Sequence, residues 1–305
     1  MAAAMRIACV QLRARGVDEA ERALEEALEA ADRAAGDADL VTLPEATYPG
    51  YILHEGWSFE GDGYERARAG FADVARRQGA WIAVGLVRPV GDGLVNSAVL
   101  MNPDGDVAAI ADKRFLWHFD SRWFREGAPG DVVLLPWGAI GMFVCADARM
   151  PEIPRRLALG GARLLLDPTA LVLSPLGTNA QLEYMLAARA WENGAFLAVA
   201  NKCGTEAGIA RYGGRSAISI PRGCGSRRRV PGTPRSSSRT SGWMTRRARP
   251  GDRRGVRLPS CRLRPDRCRS RACWPSRPPG PRSAWRWSEE GSTPRSWRES
   301  WASIW

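Results

Sequence analysis

The sequence has few of the side chains that hold metal ions or form disulfide frameworks. Its 305 residues include two histidines and seven cysteines, and no two cysteines have Cys-x-x-Cys spacing. Zinc sites need clustered His and Cys ligands, and disulfide frameworks need dense cysteines in short secreted chains. We therefore expect no metal site, no cofactor and no disulfide framework.

Long apolar runs are also missing. No stretch has the length of about 20 apolar residues that a membrane-spanning helix needs. Residues 1–6 lead directly into a strand pattern, without the basic start, apolar middle and cleavage site of a secretory signal. We therefore expect no membrane partner and a cytoplasmic location.

The net charge of +11 is distributed unevenly along the chain. Residues 1–223 contain 23 basic and 28 acidic side chains, whereas residues 224–305 contain 21 arginines, no lysine and five acids. The basic character therefore belongs to the last 82 residues. Whole-chain charge is no argument for nucleic-acid binding by the first 223 residues.

The composition changes abruptly at Cys224. Residues 224–305 contain 14 Ser, 10 Pro and 7 Trp but only five Val, Leu or Ile, and they show no helical or strand period. Such a segment is typical of a disordered basic tail, although disordered segments are usually poor in tryptophan. A reading-frame slip in a GC-rich coding sequence would give this composition. We predict a folded domain over residues 1–223, followed by a low-complexity tail that is disordered or frame-shifted.

Helix and strand patterns alternate through residues 1–223. Ala-rich amphipathic stretches predict helices at 17–35, 64–78, 152–159 and 179–193. β-type apolar runs predict strands at 6–12, 38–43, 81–87, 97–101, 107–111, 139–144, 164–166, 196–200 and 216–220. Alternation with several tight turns predicts a layered α/β protein with a mixed sheet.

Three polar residues lie where predicted strands end: Glu45, Lys113 and Cys145. Catalytic residues of α/β folds often occupy such positions, because a rigid sheet holds them in place. Each residue taken alone also has an ordinary structural interpretation. A cysteine at a strand end is usually a small buried side chain, and the two charged residues could be solvated turn residues.

An ordered series of motifs surrounds these residues. The motifs are Leu43-Pro44-Glu45 with Tyr48-Pro49-Gly50-Tyr51, Asp112-Lys113-Arg114-Phe115-Leu116, Cys145-Ala146-Asp147-Ala148-Arg149-Met150-Pro151-Glu152, Gly161-Ala162 with Pro168, Ala188-Arg189-Ala190-Trp191-Glu192-Asn193, Asn201-Lys202-Cys203-Gly204, and Gly214-Arg215-Ser216-Ala217-Ile218. This series resembles the nitrilase, or carbon-nitrogen hydrolase, superfamily, and the similarity covers about residues 5–223.

The resemblance implies a four-layer α-β-β-α sandwich whose C-terminal part is missing or replaced. It implies that Cys145 is the nucleophile, Glu45 the general base and Lys113 the group that stabilises the oxyanion. The backbone N–H of Ala146 would be a second oxyanion donor. An acyl thioester would form on Cys145 and be released by water. The resemblance also implies a homodimer or a higher homo-oligomer.

Members of this superfamily often have a second active-site carboxylate after the lysine motif. Asp120 and Glu126 are the acids available here. Asp120 lies nearer the expected place but is one methylene shorter than glutamate, and Glu126 directly precedes Gly127. We favour Asp120, while the interpretation of both acids as surface charges stays open.

The residues after Cys145 bear on the substrate. Cys-x-Asp resembles the amidase and carbamoylase branches, so we predict hydrolysis of a small amide or carbamoyl compound to acid and ammonia, with nitrile hydrolysis as the alternative. Arg149 could bind a substrate carboxylate, but an ion pair with Glu152 or Asp147 is the favoured interpretation. Three aromatic residues could line the pocket or belong to the core: Trp117, His118 and Trp123.

Two further interpretations of the whole chain remain. Arginine and tryptophan in the tail could bind nucleic acid by charge and stacking, although the tail has no motif for it. The chain could also be an inactive, truncated family member. We consider nucleic-acid binding the less favoured of the functions.

Overall fold

The computed structural model describes residues 5–54, 57–59, 61–118, 120–173 and 178–221. The predicted tail at 224–305 lies outside the described residues, so its assignment stays a prediction. In chain order the strands are β1 (Ile7–Cys9), β2 (Leu12–Arg13), β3 (Leu40–Thr42), β4 (Trp81–Val90), β5 (Gly93–Met101), β6 (Val107–Asp112), β7 (Val133–Leu135), β8 (Gly138–Met142), β9 (Leu164–Thr169), β10 (Phe196–Glu206), β11 (Ala210–Gly213) and β12 (Ala217–Ser219). The helices are α1 (Ala20–Ala35), α2 (Gly63–Gln78), α3 (Asp120–Trp123), α4 (Glu152–Leu159), α5 (Thr178–Ala180) and α6 (Leu186–Asn193).

The strands form two mixed sheets. The first has the order β1-β3-β4-β5-β6, in which β1, β3 and β4 are parallel and the β4–β5 and β5–β6 pairs are antiparallel. The second has the order β11-β10-β9-β8-β7, with β8, β9 and β10 parallel. β2 and β12 also pair with β10. A mixed sheet of this kind agrees with the predicted architecture.

The two sheets pack face to face, and helices cover their outer faces. Side chains of both sheets share one core cluster, which includes Leu100 of β5 and Leu166 of β9. The alanine-rich stripe of α1 packs with α2 against the other face of the first sheet. α4 and α6 contact β8 and β10 of the second sheet. The predicted α-β-β-α order of layers is therefore observed.

Local departures from the expected elements have identifiable causes. The predicted strand at 139–144 ends at Met142, because the chain then leaves the sheet and Cys145 takes a left-handed backbone conformation with φ of 51°. The single helix predicted at 179–193 is interrupted by a π-helical segment, Gln181–Met185. β7 and β11 were not expected, since both are short.

Gly85, in the middle of β4, lets the chain segment after β3 cross closely over the first sheet. A Cβ atom at this position would clash with the carbonyl oxygen of Pro44 and would lie 2.5 Å from the Cα atom of Glu45. Only glycine permits this approach without movement of one of the two backbones.

Candidate active site

Glu45 follows β3 and lies between the two sheets. Its side chain is completely buried, and each oxygen accepts hydrogen bonds. Oε1 accepts from Asn96 Nδ2 and from Lys113 Nζ, both at 2.7 Å. Oε2 accepts from the backbone N–H of Ala170 at 2.8 Å. Donors from both sheets therefore fix the carboxylate in one orientation.

Lys113 follows β6 directly and is also completely buried. Its Nζ lies 2.7 Å from Glu45 Oε1 and 2.7 Å from Asp120 Oδ2. Burial alone would lower the pKa of the ammonium group, but the attraction of the two carboxylates outweighs it and raises the pKa well above its ordinary value. Lys113 is therefore a fixed positive charge rather than a proton acceptor.

Of the two candidate second acids, the structure brings Asp120 and not Glu126 to Lys113. Asp120 is the first residue of α3 and is completely buried. Its Oδ1 accepts from the Tyr51 hydroxyl at 2.6 Å, and its Oδ2 accepts from the Trp117 N–H at 2.7 Å. Glu126 is exposed and pairs with Arg114 at 3.3 Å. The surface interpretation therefore holds for Glu126 and is wrong for Asp120.

Cys145 approaches from the second sheet, at the start of a short 3₁₀ helix, Cys145–Arg149. Its N–H donates to Asp167 Oδ1 at 2.7 Å, and its carbonyl accepts from Gln181 Nε2 at 2.9 Å. Burial, and then the charge of Glu45, raises the pKa of the thiol, whereas the charge of Lys113 lowers it. The thiol is thus close enough to both groups to interact electrostatically with them.

Asp147 joins the cysteine segment to the lysine segment. Its Oδ1 accepts from the N–H groups of Arg114 and Phe115 at 3.0 and 2.7 Å, and its Oδ2 accepts from the N–H of Val144 at 3.1 Å. Burial is the largest cause that raises the pKa of this carboxyl, to about 6. These three bonds set the distance between the chain around Lys113 and the chain around Cys145.

Arg149 makes different contacts from those the sequence favoured. The expected ion pair with Glu152 or Asp147 is wrong, because Arg149 has no carboxylate within 4.0 Å in the part of the chain that the structure describes. Its Nε donates to Gln181 Oε1 at 2.7 Å, and its guanidinium carbon lies 5.2 Å from the centre of the Trp117 ring. The carboxylate of Asp147 is occupied by backbone donors instead.

The remaining predicted binding residues separate into two groups. Ala146 is buried directly beside Cys145, and Trp117 is half-buried beside Arg149. His118 is exposed, and Trp123 packs against the apolar cluster that contains Tyr51 and Phe124. The geometry therefore groups Ala146, Arg149 and Trp117 near Cys145 and leaves Trp123 in a core.

Several residues of the site were missed by the sequence analysis. Each has a buried polar side chain that forms a hydrogen bond to a proposed catalytic residue, to its partner or to a loop of the site: Tyr51, Asn96, Asp167, Gln181 and Glu206. Tyr51 belongs to a quoted motif, and Asp167 precedes the quoted Pro168. A polar residue inside an apolar strand was the available signal for Asp167.

Among the described residues, no group of three or more His, Cys, Asp or Glu side chains could hold a metal ion. None of the helices that the structure describes is long and apolar enough to cross a membrane.

Known proteins resemble this chain in sequence and in fold. The sequence profile of the carbon-nitrogen hydrolase family matches residues 6–224. A relative from Pseudomonas protegens, named "Hydrolase in pqqF 5'region", is 35% identical over 231 residues, which cover 72% of this chain and 76% of the relative. An (R)-stereoselective amidase from a Pseudomonas species is 28% identical over 225 residues, which cover 70% of this chain and 77% of that protein.

The solved structure of an amidase from Nesterenkonia sp. superposes with a TM-score of 0.67 and 32% sequence identity, covering 73% of this chain and 85% of the amidase. A mutant of that amidase carries the acetamide moiety of fluoroacetamide covalently at its active-site cysteine.

The sandwich and the buried carboxylate, lysine and cysteine define the class, an enzyme that hydrolyses carbon-nitrogen bonds. The chain belongs to the carbon-nitrogen hydrolase family, in the amidase-like branch of the nitrilase superfamily. The resemblance, the fold class and the hydrolase class predicted from the sequence are therefore confirmed.

Proposed function

We propose that this protein hydrolyses a small amide or carbamoyl compound through a thioester on Cys145. An amide would give a carboxylic acid and ammonia, and a carbamoyl compound would give a carbamic acid and ammonia. The observation that carries the proposal is the buried contact of 2.7 Å between Glu45 and Lys113. The charges of both groups act on the Cys145 thiol. It gives a base and a fixed positive charge beside a nucleophile, as acyl transfer requires.

In the first half of the proposed reaction, Cys145 Sγ loses its proton to the Glu45 carboxylate and forms a bond to the amide carbon. The carbonyl oxygen takes the electron pair and becomes an oxyanion. Lys113 stabilises this charge, and the N–H of Ala146 is proposed as the second donor. The raised pKa of Lys113 supports this role, since the ammonium keeps its charge at neutral pH.

Collapse of the tetrahedral intermediate breaks the carbon–nitrogen bond, and the proton on Glu45 goes to the leaving nitrogen, so that ammonia departs. Glu45 then takes a proton from water as the water oxygen attacks the thioester carbon. The carbon–sulfur bond breaks, and the proton returns to the thiol. One amide and one water give one carboxylic acid and one ammonia, with the enzyme unchanged.

Asp120 and Arg149 have supporting roles in this proposal. Asp120 holds Lys113 on the side opposite Glu45, so that the ammonium cannot turn away from the oxyanion. Arg149 is proposed to bind a carbonyl or carboxylate of the substrate beside the Trp117 ring. The absence of a carboxylate partner for its guanidinium among the described residues supports this role.

Release of ammonia from matched amides, carbamoyl compounds and nitriles tests the proposal. We expect turnover of amides or carbamoyl compounds, and its loss in Cys145→Ala and in Cys145→Ser, because a hydroxyl beside the same base is a far weaker nucleophile than a thiol. Cys203→Ser, at a half-buried cysteine of β10, is the matched control and should keep full activity. Faster turnover of the nitriles would favour the alternative substrate class, and full activity of Cys145→Ala would contradict the mechanism.

We propose a homodimer, supported by the exposed aromatic side chains of Tyr184 and Trp191 on the outer helical layer. Light scattering should give twice the chain mass, and a monomer at micromolar concentration would contradict it. A cytoplasmic location is proposed from the sequence alone.

A further inference from the structure

Asp167 lies in the C-terminal half of β9. Among the described residues, it is the one whose side chain accepts the backbone N–H of Cys145, the proposed nucleophile. It is completely buried. Its Oδ1 accepts the N–H of Cys145 at 2.7 Å, and its Oδ2 is buried without a hydrogen-bond partner in the described part of the chain.

The position of Asp167 explains how Cys145 leaves the sheet. The parallel ladder between β8 and β9 ends at the Met142–Leu166 pair, and Phe143 makes a last backbone bond to Leu166 at 3.2 Å. Beyond it the Asp167 side chain replaces the strand as the acceptor for the next inward N–H group. The backbone of Cys145 has a φ of 51°, a left-handed conformation that is unfavourable for a non-glycine residue unless its surroundings hold it.

The surroundings of Asp167 disfavour a negative charge. Burial is the largest cause that raises the pKa of its carboxyl well above the ordinary value, and the charges of Glu45 and Asp147 raise it further. The Cys145 N–H and the charge of Lys113 act in the opposite direction. No basic side chain lies within 4.0 Å of Asp167 among the described residues.

We propose that Asp167 is a positioning residue, whose carboxyl holds the Cys145 peptide in the left-handed turn that directs the thiol to the substrate. The proposal rests on the assignment of Cys145 as the nucleophile. It adds a residue to the site that touches neither substrate nor reacting atoms and that acts through the backbone of Cys145.

Three variants of the full chain separate this role from a simple packing role. Asp167→Asn keeps the shape and an oxygen acceptor without charge. Asp167→Leu keeps the branched shape with bulkier methyl groups and no acceptor, and Asp167→Ala removes the acceptor without adding bulk. The measurements are kcat and KM on the amide, and the rate of Cys145 alkylation by iodoacetamide against pH, located by peptide mass spectrometry. Circular dichroism reports whether each variant folds.

We expect Asp167→Asn to match the wild type in kcat and in the pH midpoint of alkylation. Asp167→Leu and Asp167→Ala should lose kcat by about tenfold to a hundredfold at unchanged KM, because a displacement of about 1 Å at a nucleophile costs about a hundredfold in rate. Iodoacetamide should also alkylate Cys145 more slowly in these two variants than in the wild type. If Asp167→Leu does not fold, the comparison of Asp167→Asn with Asp167→Ala tests the positioning role.

Equal kcat and equal alkylation of the Leu or Ala variant and the Asn variant would overturn the positioning role. A lower pH midpoint in Asp167→Asn than in the wild type would contradict the expected match, because removal of a negative charge beside the thiol lowers its pKa. Alkylation is measured without turnover. A wild type that alkylates as expected but hydrolyses no amide would therefore contradict the proposed function and leave the role of Asp167 supported.

Discussion

Both lysines of the sequence are buried against carboxylates, and every other basic side chain is an arginine. Lys113 contacts Glu45 and Asp120, and Lys202 contacts Glu206 at 3.1 Å. Lysine is a compact charge on a flexible stem, whereas the guanidinium of arginine is a larger planar group. Both buried sites therefore hold the compact charge of lysine rather than the larger planar group of arginine.

Replacement of Lys113 by arginine should abolish most of the activity although the charge is kept. The side chain is completely buried between two carboxylates, so a larger planar group would displace Glu45 or Asp120. We expect Lys113→Arg to lower kcat by about 10²–10³, the usual effect of losing one oxyanion donor. The neighbouring exposed Arg114→Lys is the matched control. Near-normal kcat in Lys113→Arg would contradict the proposed role.

The raised pKa of Asp147 predicts a pH dependence of stability. The folded carboxyl has a pKa of about 6, above the value of about 4 in an unfolded chain, so the folded state binds more protons between these pH values. This contribution to stability is therefore present below about pH 4 and is lost as the pH rises to about 6, by up to about 3 kcal/mol.

Urea unfolding of the wild type and Asp147→Asn at several pH values checks this expectation. Glu26 has a lowered pKa and changes the stability with pH in the opposite direction in both proteins. The informative quantity is therefore the difference in free energy of unfolding between the wild type and Asp147→Asn. The wild type should lose free energy of unfolding relative to the variant as the pH rises from 4 to 6. A constant difference would contradict the burial of this charge.

At the scale of elements, the site depends on the close approach of the segment after β3 to β4. Gly85→Ala would place a methyl group against Pro44 and Glu45, and it should lower both stability and kcat. We expect a loss of about 1–3 kcal/mol in the free energy of unfolding, as for other overpacked positions. Gly36→Ala is the matched control, since a Cβ there meets no atom closer than 3.6 Å. Equal unfolding curves for the two variants would contradict the prediction.

The C-terminal half of β10 holds the loop that carries Tyr51. Glu206 Oε1 accepts the N–H groups of Tyr51 and Ile52 at 2.5 and 2.8 Å, and its Oε2 contacts Lys202 Nζ and the Tyr212 hydroxyl. The other end of Tyr51 reaches Asp120, so this loop connects β10 to the lysine of the site.

Glu206→Gln should be strongly destabilising, because it leaves the buried Lys202 without a counter-charge. Loss of one partner of a buried ion pair costs about 3–5 kcal/mol. Glu65→Gln, which removes the partner of Arg68 on the exposed face of α2, should cost less than about 1 kcal/mol. Thermal unfolding measures both variants. A small effect of Glu206→Gln would show that Lys202 loses its proton or reaches solvent.

The sequence predicted the long elements more accurately than their ends. α2 begins one residue before the predicted start and ends at the predicted Gln78, because its apolar period is long and regular. The left-handed turn at Cys145 and the π-helical segment before α6 were not predictable, since both depend on side chains from other elements. Gln181, in that segment, holds Cys145 and Arg149 together.

At the scale of the molecule, acid and base groups from distant parts of the chain converge between the sheets. Glu45 and Lys113 were predicted from ordered motifs and Asp120 from the resemblance to the superfamily, whereas the buried partners Asn96 and Asp167 were not predicted. A partner that comes from another strand of a sheet has no fixed spacing in the sequence. The frame-slip interpretation of residues 224–305 stays a prediction, because these residues lie outside the described structure.

In the proposed mechanism, Cys145 carries the acyl group of the substrate during turnover. Mass spectrometry of the full chain, acid-quenched during hydrolysis of a small amide and then digested, detects this intermediate. We expect the acyl group on the peptide that contains Cys145, and no adduct or turnover with Cys145→Ala. Turnover with no adduct on Cys145 and with full activity in Cys145→Ala would contradict it.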